Sequence, residues 1–323
     1  MQFFFVDAER RYRGYWHGRP ARANRHPHGR DARANKSMIV CLHIPKTGGT
    51  SFNVILENSF GIRNCHTNQT NRSTFTQADF DFAKKCYPGL RSIVGHNLVD
   101  PAQLRVPDPF FMTILREPVA RVISHFQYSV QNGHNKKSFE ETLRASENLE
   151  NLQVKLIAGG RDLDKAKRFL EQCAFVGLTE KFDLSLRVLE RLSPGKLQLN
   201  YERRVVARGN EVKDSLKSDA RMLELAREYN KLDMALYEFA VNEIFPRLCR
   251  KTGVDLAEKV PSYQSEGSTK RLNYQLSRVY SKLFRHLCKL RYNVILRDSR
   301  PRLGNTAEDI FGPLLAQDPA RAV

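Results

Sequence analysis

Along the chain, short continuous apolar runs alternate with longer segments in which apolar residues recur at helical spacing. Continuous apolar runs at 38–42, 109–115 and 174–178 have the length of buried strands, and 91–96 is predicted to be a short strand that ends in Gly-His. A weaker strand candidate lies at 196–199. Apolar residues recur at helical spacing over 51–60, 118–130, 150–158, 162–173, 180–192 and 219–251. Strands separated by helices predict an α/β fold with a central parallel sheet flanked by helices.

Positive charge is concentrated at the two ends of the chain, whose formal net charge is +18. Residues 1–37 hold nine Lys/Arg and three Asp/Glu, giving +6, and show no hydrophobic period, so we predict a disordered basic arm. Residues 270–303 hold ten Lys/Arg and one Asp/Glu, giving +9. We therefore divide the chain into the arm 1–37, a main domain 38–270 and a basic segment 271–323.

The basic segment also carries an apolar stripe at helical spacing, which predicts an amphipathic helix as a C-terminal extension. The helix either docks its stripe on the core with a solvated charged face, or contacts an acidic glycan or a membrane surface. The stripe is formed by Leu272, Leu276, Val279, Tyr280, Leu283, Phe284, Leu287 and Leu290.

The strand at 38–42 runs into His-Ile-Pro-Lys-Thr-Gly-Gly-Thr-Ser at 43–51, and a helical pattern follows. A strand, a glycine turn and a helix build a cradle for a phosphate, because the backbone N–H groups of Gly48 and Gly49 and the helix N-terminus can approach an anion. Lys46 adds a full charge. Hydroxyl donors come from Thr47, Thr50 and Ser51. The glycines follow the lysine, so the segment differs from the nucleoside-triphosphate loop G-x-x-x-x-G-K-[ST].

A second group of candidates follows the strand at 109–115. Arg116 stands at its carboxyl end, where open α/β sheets bind ligands, and its planar fork suits a phosphate. Glu117 and Pro118 then begin a helix, on which Ser124 lies off the centre of the apolar stripe. The alternative is that Arg116 is a surface ion-pair partner and that Ser124 has no role in binding.

A Gly-His pair at 95–96 ends the short strand between these two groups. Histidine is the natural general base near neutral pH, because its unperturbed pKa of about 6.5 leaves the neutral form able to accept a proton. His96 is therefore our candidate base. His43 and His125 are the competing histidines, and a structural role for His96 is the alternative.

Together these motifs resemble the sulfotransferases that use 3′-phosphoadenosine-5′-phosphosulfate (PAPS), over residues 38–270. Within that family the segment at 43–51 resembles the carbohydrate branch (sulfotransferase family 2) that includes heparan sulfate 2-O-sulfotransferases and bacterial relatives. The resemblance implies a P-loop-like three-layer fold, PAPS as co-substrate without a metal, and a carbohydrate acceptor that includes anionic glycans. It implies His96 as the base and places Arg116 and Ser124 on the 3′-phosphate.

Many enzymes of this family close a late basic loop over the nucleotide. Lys270, in the polar loop at 264–271, is the candidate for that role here, and a helix-capping loop is the alternative. The loop lacks the Arg-Lys-Gly pattern of the cytosolic small-molecule branch.

Several other classes of protein are disfavoured. The six cysteines show no zinc-ligand spacing, and no apolar stretch is long enough for a membrane span or a signal peptide, so we expect a cytoplasmic location, or the Golgi membrane if an anchor is missing from this chain. We expect no specific nucleic-acid partner. The remaining rivals are a nucleotide-dependent kinase, for which Asp100 and Asp108 are the nearest magnesium ligands, and a catalytically silent binder of anionic glycans.

Overall fold

A computed structural model describes residues 37–145, 149–201, 209, 211–264, 272–300 and 302. At its centre lies a five-stranded parallel sheet in the order β2-β3-β1-β4-β5. The strands are β1 (Met38–Leu42), β2 (Asn64–His66), β3 (Ser92–Gly95), β4 (Pro109–Leu115) and β5 (Phe175–Leu178).

Every residue of β1, β3 and β5 is buried. Because successive side chains of a strand point to opposite faces, both faces of the sheet are covered. The predicted three-layer α/β fold is thereby confirmed. In the register of the sheet Leu42 pairs with Gly95 of β3 and with Thr113 of β4, so the carboxyl ends of these strands lie side by side.

Twelve α-helices are described. They are α1 (Gly49–Phe60), α2 (Gln77–Cys86), α3 (Pro118–Gln131), α4 (Phe139–Ala145), α5 (Leu152–Ala158), α6 (Leu163–Gln172), α7 (Phe182–Leu192), α8 (Glu211–Ser218), α9 (Ala220–Tyr229), α10 (Lys231–Phe239), α11 (Phe245–Thr252) and α12 (Leu272–Lys289). A π-helical turn, Ala240–Ile244, joins α10 to α11 just before Pro246, whose missing N–H interrupts the α-helical ladder.

Two hydrophobic cores support these elements. The larger one surrounds the sheet. The smaller one lies under α3, where the predicted stripe of Val119, Val122, Ile123 and Phe126 packs against residues of α4, α8 and α9. α3 is thereby held with Ser124 and Tyr128 on the side away from this core.

The strand predictions need two corrections. β2 was not predicted, because its three residues, Asn64, Cys65 and His66, show no apolar run and pair with β3 alone. The candidate strand at 196–199 is irregular backbone instead, and there the N–H of Gln198 donates to the hydroxyl of Ser59 on α1.

The C-terminal helix α12 forms as predicted but turns a different face to the core. It packs on α1 and on the turns at 61–63 and 67–70. The predicted stripe residue Phe284 is buried at 1% exposure, whereas its neighbour Leu283 is 51% exposed. The residues that face the protein are Tyr274, Ser277, Ser281, Phe284 and Cys288, followed by Tyr292 in the π-helical turn Leu290–Ile295.

Some predictions fall outside the described residues. These are the basic arm at 1–36, the loop residue Lys270 and the tail beyond 302. Across the part of the chain that the structure covers, no helix has both the length and the apolar character needed to cross a bilayer.

The opposite surroundings of Phe284 and Leu283 can be tested directly. Replacing Phe284 with Ala removes a ring that contacts Phe82 and Tyr87, at centroid distances of 5.8 and 5.0 Å, and should lower the free energy of unfolding by about 3–5 kcal/mol. Leu283→Ala is the matched control and should change it by less than about 0.5 kcal/mol. Equal losses in urea titrations would contradict this placement of the helix.

Candidate active site at the carboxyl ends of the strands

The loop between β1 and α1 has a tightly constrained backbone. Lys46 and Gly48 both lie in the left-handed region, with φ of 69° and 89°. The hydroxyl of Thr47 donates to the carbonyl of Ile44 at 2.9 Å, so this side chain stabilises the turn rather than pointing to a ligand. A Cβ at Gly49 would collide with the ring of His43. The loop can therefore pass close to His43 only with glycine at position 49.

The N-terminus of α1 is free of any capping side chain. Its N-cap residue is Gly48, and its first turn contains no acidic residue. Thr50 and Ser51 lie half-buried in that first turn. Because the first N–H groups of a helix have no partner inside the helix, and because they form the positive end of its dipole, this turn is suited to binding an anion.

Lys46 is half-buried beside other positive groups. Its Nζ lies 4.2 Å from the centre of the Tyr128 ring on α3. Burial, together with repulsion from Arg116, lowers the pKa of Lys46 to about 8. An anionic ligand between these two cations would relieve their repulsion.

Arg116 lies against the loop. Its Nη1 donates to the carbonyl of Lys46 at 2.9 Å, so the end of β4 and the loop after β1 form one site. Its Nε is buried without a hydrogen-bond partner, and burial lowers the pKa of this guanidinium. A buried donor without a partner costs free energy, and a phosphate oxygen would satisfy it.

Two residues that sequence reasoning missed position Arg116. The side chain of Gln153 accepts from the N–H of Arg116 and donates to its carbonyl, both at 3.0 Å. Asp233, which is fully buried, accepts from the N–H groups of Gln153 and Val154 at 3.0 and 2.8 Å. Both residues fall in segments, 151–155 and 232–237, that show helical periodicity and a weaker resemblance to the family, and neither signal identifies this contact.

Thr179, also missed, joins the same site from β5. Its hydroxyl lies 2.8 Å from the carbonyl of Thr47 and 3.0 Å from the carbonyl of Leu115. The ends of β4 and β5 thus both hold the loop that follows β1.

The helix that carries Ser124 also faces the loop. Ser124 is half-buried on α3 and lies one turn before Tyr128, whose ring is next to Lys46. Residues four apart share one face of a helix, so Ser124 is on the loop side. Arg121 of the same helix is completely buried, and its Nη2 donates to the carbonyl of Leu149 at 2.9 Å.

His96 at the end of β3 is fixed to the loop through His43. Its Nδ1 lies 2.6 Å from the carbonyl oxygen of His43, and the two rings are 4.1 Å apart. Because a carbonyl can only accept, the proton is on Nδ1, and Nε2 carries the free lone pair. Burial lowers the pKa of His96, which keeps the ring neutral at pH 7. Asn68, another missed residue, accepts from its backbone N–H at 2.9 Å.

The two competing histidines have different surroundings. His43 is buried and its pKa is lowered well below its usual value, chiefly by burial. His125 is buried on α3, where burial and the charges of Arg121 and Lys46 lower its pKa to about 3. Both residues are buried, whereas His96 is half-buried.

Proteins similar to this chain were found among curated sequences and solved structures. No family model matches the chain. Over 169 residues the chain is 25% identical to heparan sulfate 2-O-sulfotransferase hst-2 of Caenorhabditis elegans, which is 48% of this chain and 51% of that protein. Over 274 residues it is 27% identical to heparan-sulfate 6-O-sulfotransferase 1 of Cricetulus griseus and of Homo sapiens, covering 63% of this chain.

The chain spans about half to two thirds of the length of these relatives: 51% of the first, and 66% and 64% of the other two. Among solved structures, a sulfotransferase from Alicyclobacillus acidocaldarius is similar with a TM-score of 0.41 and 16% identity, over 68% of this chain and 97% of that one. The names of the relatives support a sulfotransferase family. They include both 2-O- and 6-O-enzymes and do not single out the 2-O branch.

The close approach of Gly49 to His43 predicts a stability effect at the site. Gly49→Ala should lower the free energy of unfolding by about 1–3 kcal/mol, because the added Cβ must displace the His43 ring. Gly160→Ala, where the added atom meets nothing within 4 Å, is the matched control and should stay within about 0.5 kcal/mol of the parent. Chemical denaturation of both variants tests this, and indistinguishable unfolding curves would mean that the loop does not pack on His43 in this way.

Proposed function

We propose that this protein is a sulfotransferase that moves a sulfuryl group from PAPS to a hydroxyl group of a carbohydrate. The observation that carries the proposal is the hydrogen bond between Arg116 and the Lys46 carbonyl. It brings a cationic strand end and a glycine loop side by side, as binding a nucleotide with two separated phosphates requires. The relatives named heparan sulfate sulfotransferases support the choice of reaction and of acceptor.

The residues of the site fit such a nucleotide. Lys46, the N–H groups around Gly48 and Gly49 and the first turn of α1 with Thr50 and Ser51 would hold the 5′-phosphate. Arg116 would use its unpartnered Nε on the 3′-phosphate, with Ser124 from the facing side of α3. When bound, PAPS supplies the sulfuryl group, and adenosine 3′,5′-bisphosphate is the leaving product.

The protein's own residues would supply positioning, charge and a base. His96 would take the proton of the acceptor hydroxyl on Nε2, while its Nδ1–H stays on the carbonyl of His43. Lys46, charged below its pKa of about 8, would stabilise negative charge on the departing 5′-phosphate. Transfer of a sulfuryl group, like that of a phosphoryl group, depends mainly on such positioning and charge stabilisation.

The geometry disfavours the kinase alternative. Asp108 precedes β4 and accepts a hydrogen bond from Ser37. It lies at the amino ends of the strands, whereas the loop lies at their carboxyl ends. Asp100 is held by an ion pair with Lys165 at 2.5 Å. Asp108 is therefore away from the loop, and the carboxylate of Asp100 is already paired with Lys165. Binding of adenosine 3′,5′-bisphosphate without magnesium would separate the two reactions experimentally.

The two cations of the site should affect different quantities: Arg116 the affinity for the nucleotide, and Lys46 the turnover rate. Arg116→Ala should weaken the affinity for adenosine 3′,5′-bisphosphate by at least about tenfold in calorimetry, because a buried charge-assisted contact is lost. Lys46→Ala should reduce kcat on the order of 10²–10³-fold in a sulfate-transfer assay with glycan acceptors and labelled PAPS. Arg105→Ala and Lys217→Ala remove exposed cations elsewhere and should change neither quantity. Unchanged nucleotide binding in the Arg116 variant would refute its assignment, and full activity without Lys46 would refute the mechanism.

The role of His96 predicts a particular dependence on pH. His96→Ala should reduce kcat on the order of 10²–10⁴-fold with nucleotide affinity retained, and His134→Ala, at an exposed histidine, should have no effect. Because burial lowers the pKa of His96, its reactive neutral form persists as pH falls, so kcat/KM should decline only below the ordinary histidine value of about 6.5. Above about pH 8 it should decline again as Lys46 loses its proton. An unchanged acid limb in the Ala variant would exclude His96 as the base.

A further inference from the structure

The outward face of the C-terminal helix carries an unusual concentration of exposed apolar side chains. Among the described residues, eleven large hydrophobic side chains are exposed, and nine of them lie between 272 and 296. These nine are Leu272, Leu276, Val279, Leu283, Leu287, Leu290, Val294, Ile295 and Leu296. The first seven recur every three or four residues and form one stripe, which we call the outward stripe. With a rise of about 1.5 Å per residue, it extends over roughly 30 Å.

The outward stripe lies opposite the side that packs on the protein. Val279 and Leu290, at 67% and 52% exposure, alternate with the inward residues Ser281, Phe284 and Cys288. The helix is held in this orientation by polar contacts as well as by its core residues. The amide of Asn273 donates to the carbonyl of Asn58 at 3.1 Å, and Nε of Arg285 donates to Gln69 at 2.6 Å. The stripe is therefore displayed by a helix that is already folded and docked.

Only positive charge accompanies the outward stripe. Residues 272–297 contain six Lys/Arg and no Asp/Glu. Lys282 and Lys289 are exposed and lie two turns apart, on the flank between the stripe and the core-facing side. Arg278 is on the same flank and lies 3.7 Å from Glu57 of α1. An apolar centre with a cationic flank is the arrangement by which a helix binds in the interface of an anionic membrane.

Other occupants fit this face less well. Two copies of the stripe paired antiparallel would bring the cationic flanks together, and like charges oppose such pairing. A soluble acidic glycan would bind the cations but would gain nothing from nine exposed apolar side chains. α12 cannot insert across a membrane in this structure, because its inward side is packed against α1 and the turns at 61–70.

We propose that the outward stripe and its flanking lysines form a docking surface for the interface of an anionic lipid bilayer. Leucine and valine side chains would enter the boundary between head groups and acyl chains, and the lysines would bind lipid phosphates. This surface lies outside the proposed active site and does not depend on the sulfuryl-transfer reaction. Because the helix is already folded, binding would not have to compensate for the entropy of ordering it.

Vesicle flotation with the full chain tests the proposal. The parent protein should float with vesicles of phosphatidylcholine and phosphatidylglycerol, should stay in solution with phosphatidylcholine alone, and should dissociate at high salt. The combined variant Val279→Gln, Leu283→Gln and Leu290→Gln should reduce the partition coefficient at least about tenfold. The double variant Lys282→Gln and Lys289→Gln should reduce it roughly thirtyfold.

Matched controls remove the same groups elsewhere on the surface. Leu256→Gln replaces an exposed leucine, and Lys217→Gln with Lys251→Gln removes two exposed lysines. These variants should float like the parent, and thermal unfolding should be the same for all variants because every substituted side chain is exposed.

Three results would overturn the proposal. The first is failure of the parent chain to float, or flotation that appears only after the residues beyond 302 are removed, which would mean that the chain's own end covers the stripe. The second is flotation unaffected by the apolar substitutions, which would indicate adsorption by charge alone. The third is a dimer in light scattering that the apolar variant abolishes, which would assign the face to a second copy of the chain.

Discussion

The hydrogen bond from Arg116 to the carbonyl of Lys46 links the two halves of the site on which the proposed chemistry depends. Lys46 can present that carbonyl because its backbone is left-handed, a conformation that costs a residue with a Cβ about 1–2 kcal/mol. Two hydrogen bonds to the loop offset that cost: the guanidinium of Arg116 donates to the carbonyl of Lys46, and the hydroxyl of Thr179 contacts the carbonyl of Thr47. The loop after β1 therefore takes its shape from the ends of β4 and β5 as much as from its own glycines.

The candidate base depends on the same loop. His96 is held by the carbonyl of His43, and the ring of His43 packs against Gly49, so the groups proposed to bind the donor and to activate the acceptor share one short stretch of backbone. Behind Arg116, Gln153 and the buried Asp233 fix the end of β4. A small shift of the loop would change the geometry of the nucleotide site and of the base together, which explains why so many hydrogen bonds converge on main-chain atoms here.

The C-terminal helix presents two apolar faces, and the protein buries the less obvious one. The inward face includes Ser277, Ser281 and Cys288, small side chains that let the helix approach α1 closely, with Phe284 as its main anchor. The larger leucines face outward, and the lysines flank them. Burial of aliphatic side chains is favourable, so leaving them exposed makes sense if another apolar phase receives them, as a membrane interface would.

The sequence by itself determined four of the five strands, the glycine loop and the positions of Lys46, His96 and Arg116 at strand ends. These features follow from apolar runs and turn residues, whose effects act over a few neighbouring positions. Tertiary structure alone decided that Gln153, Asp233, Thr179 and Asn68 support the site, because each acts through a contact between segments distant in the chain. It also decided which face of the C-terminal helix is buried: periodicity shows which residues share a face, but the fit of side chains against the protein body determines the face that the core takes.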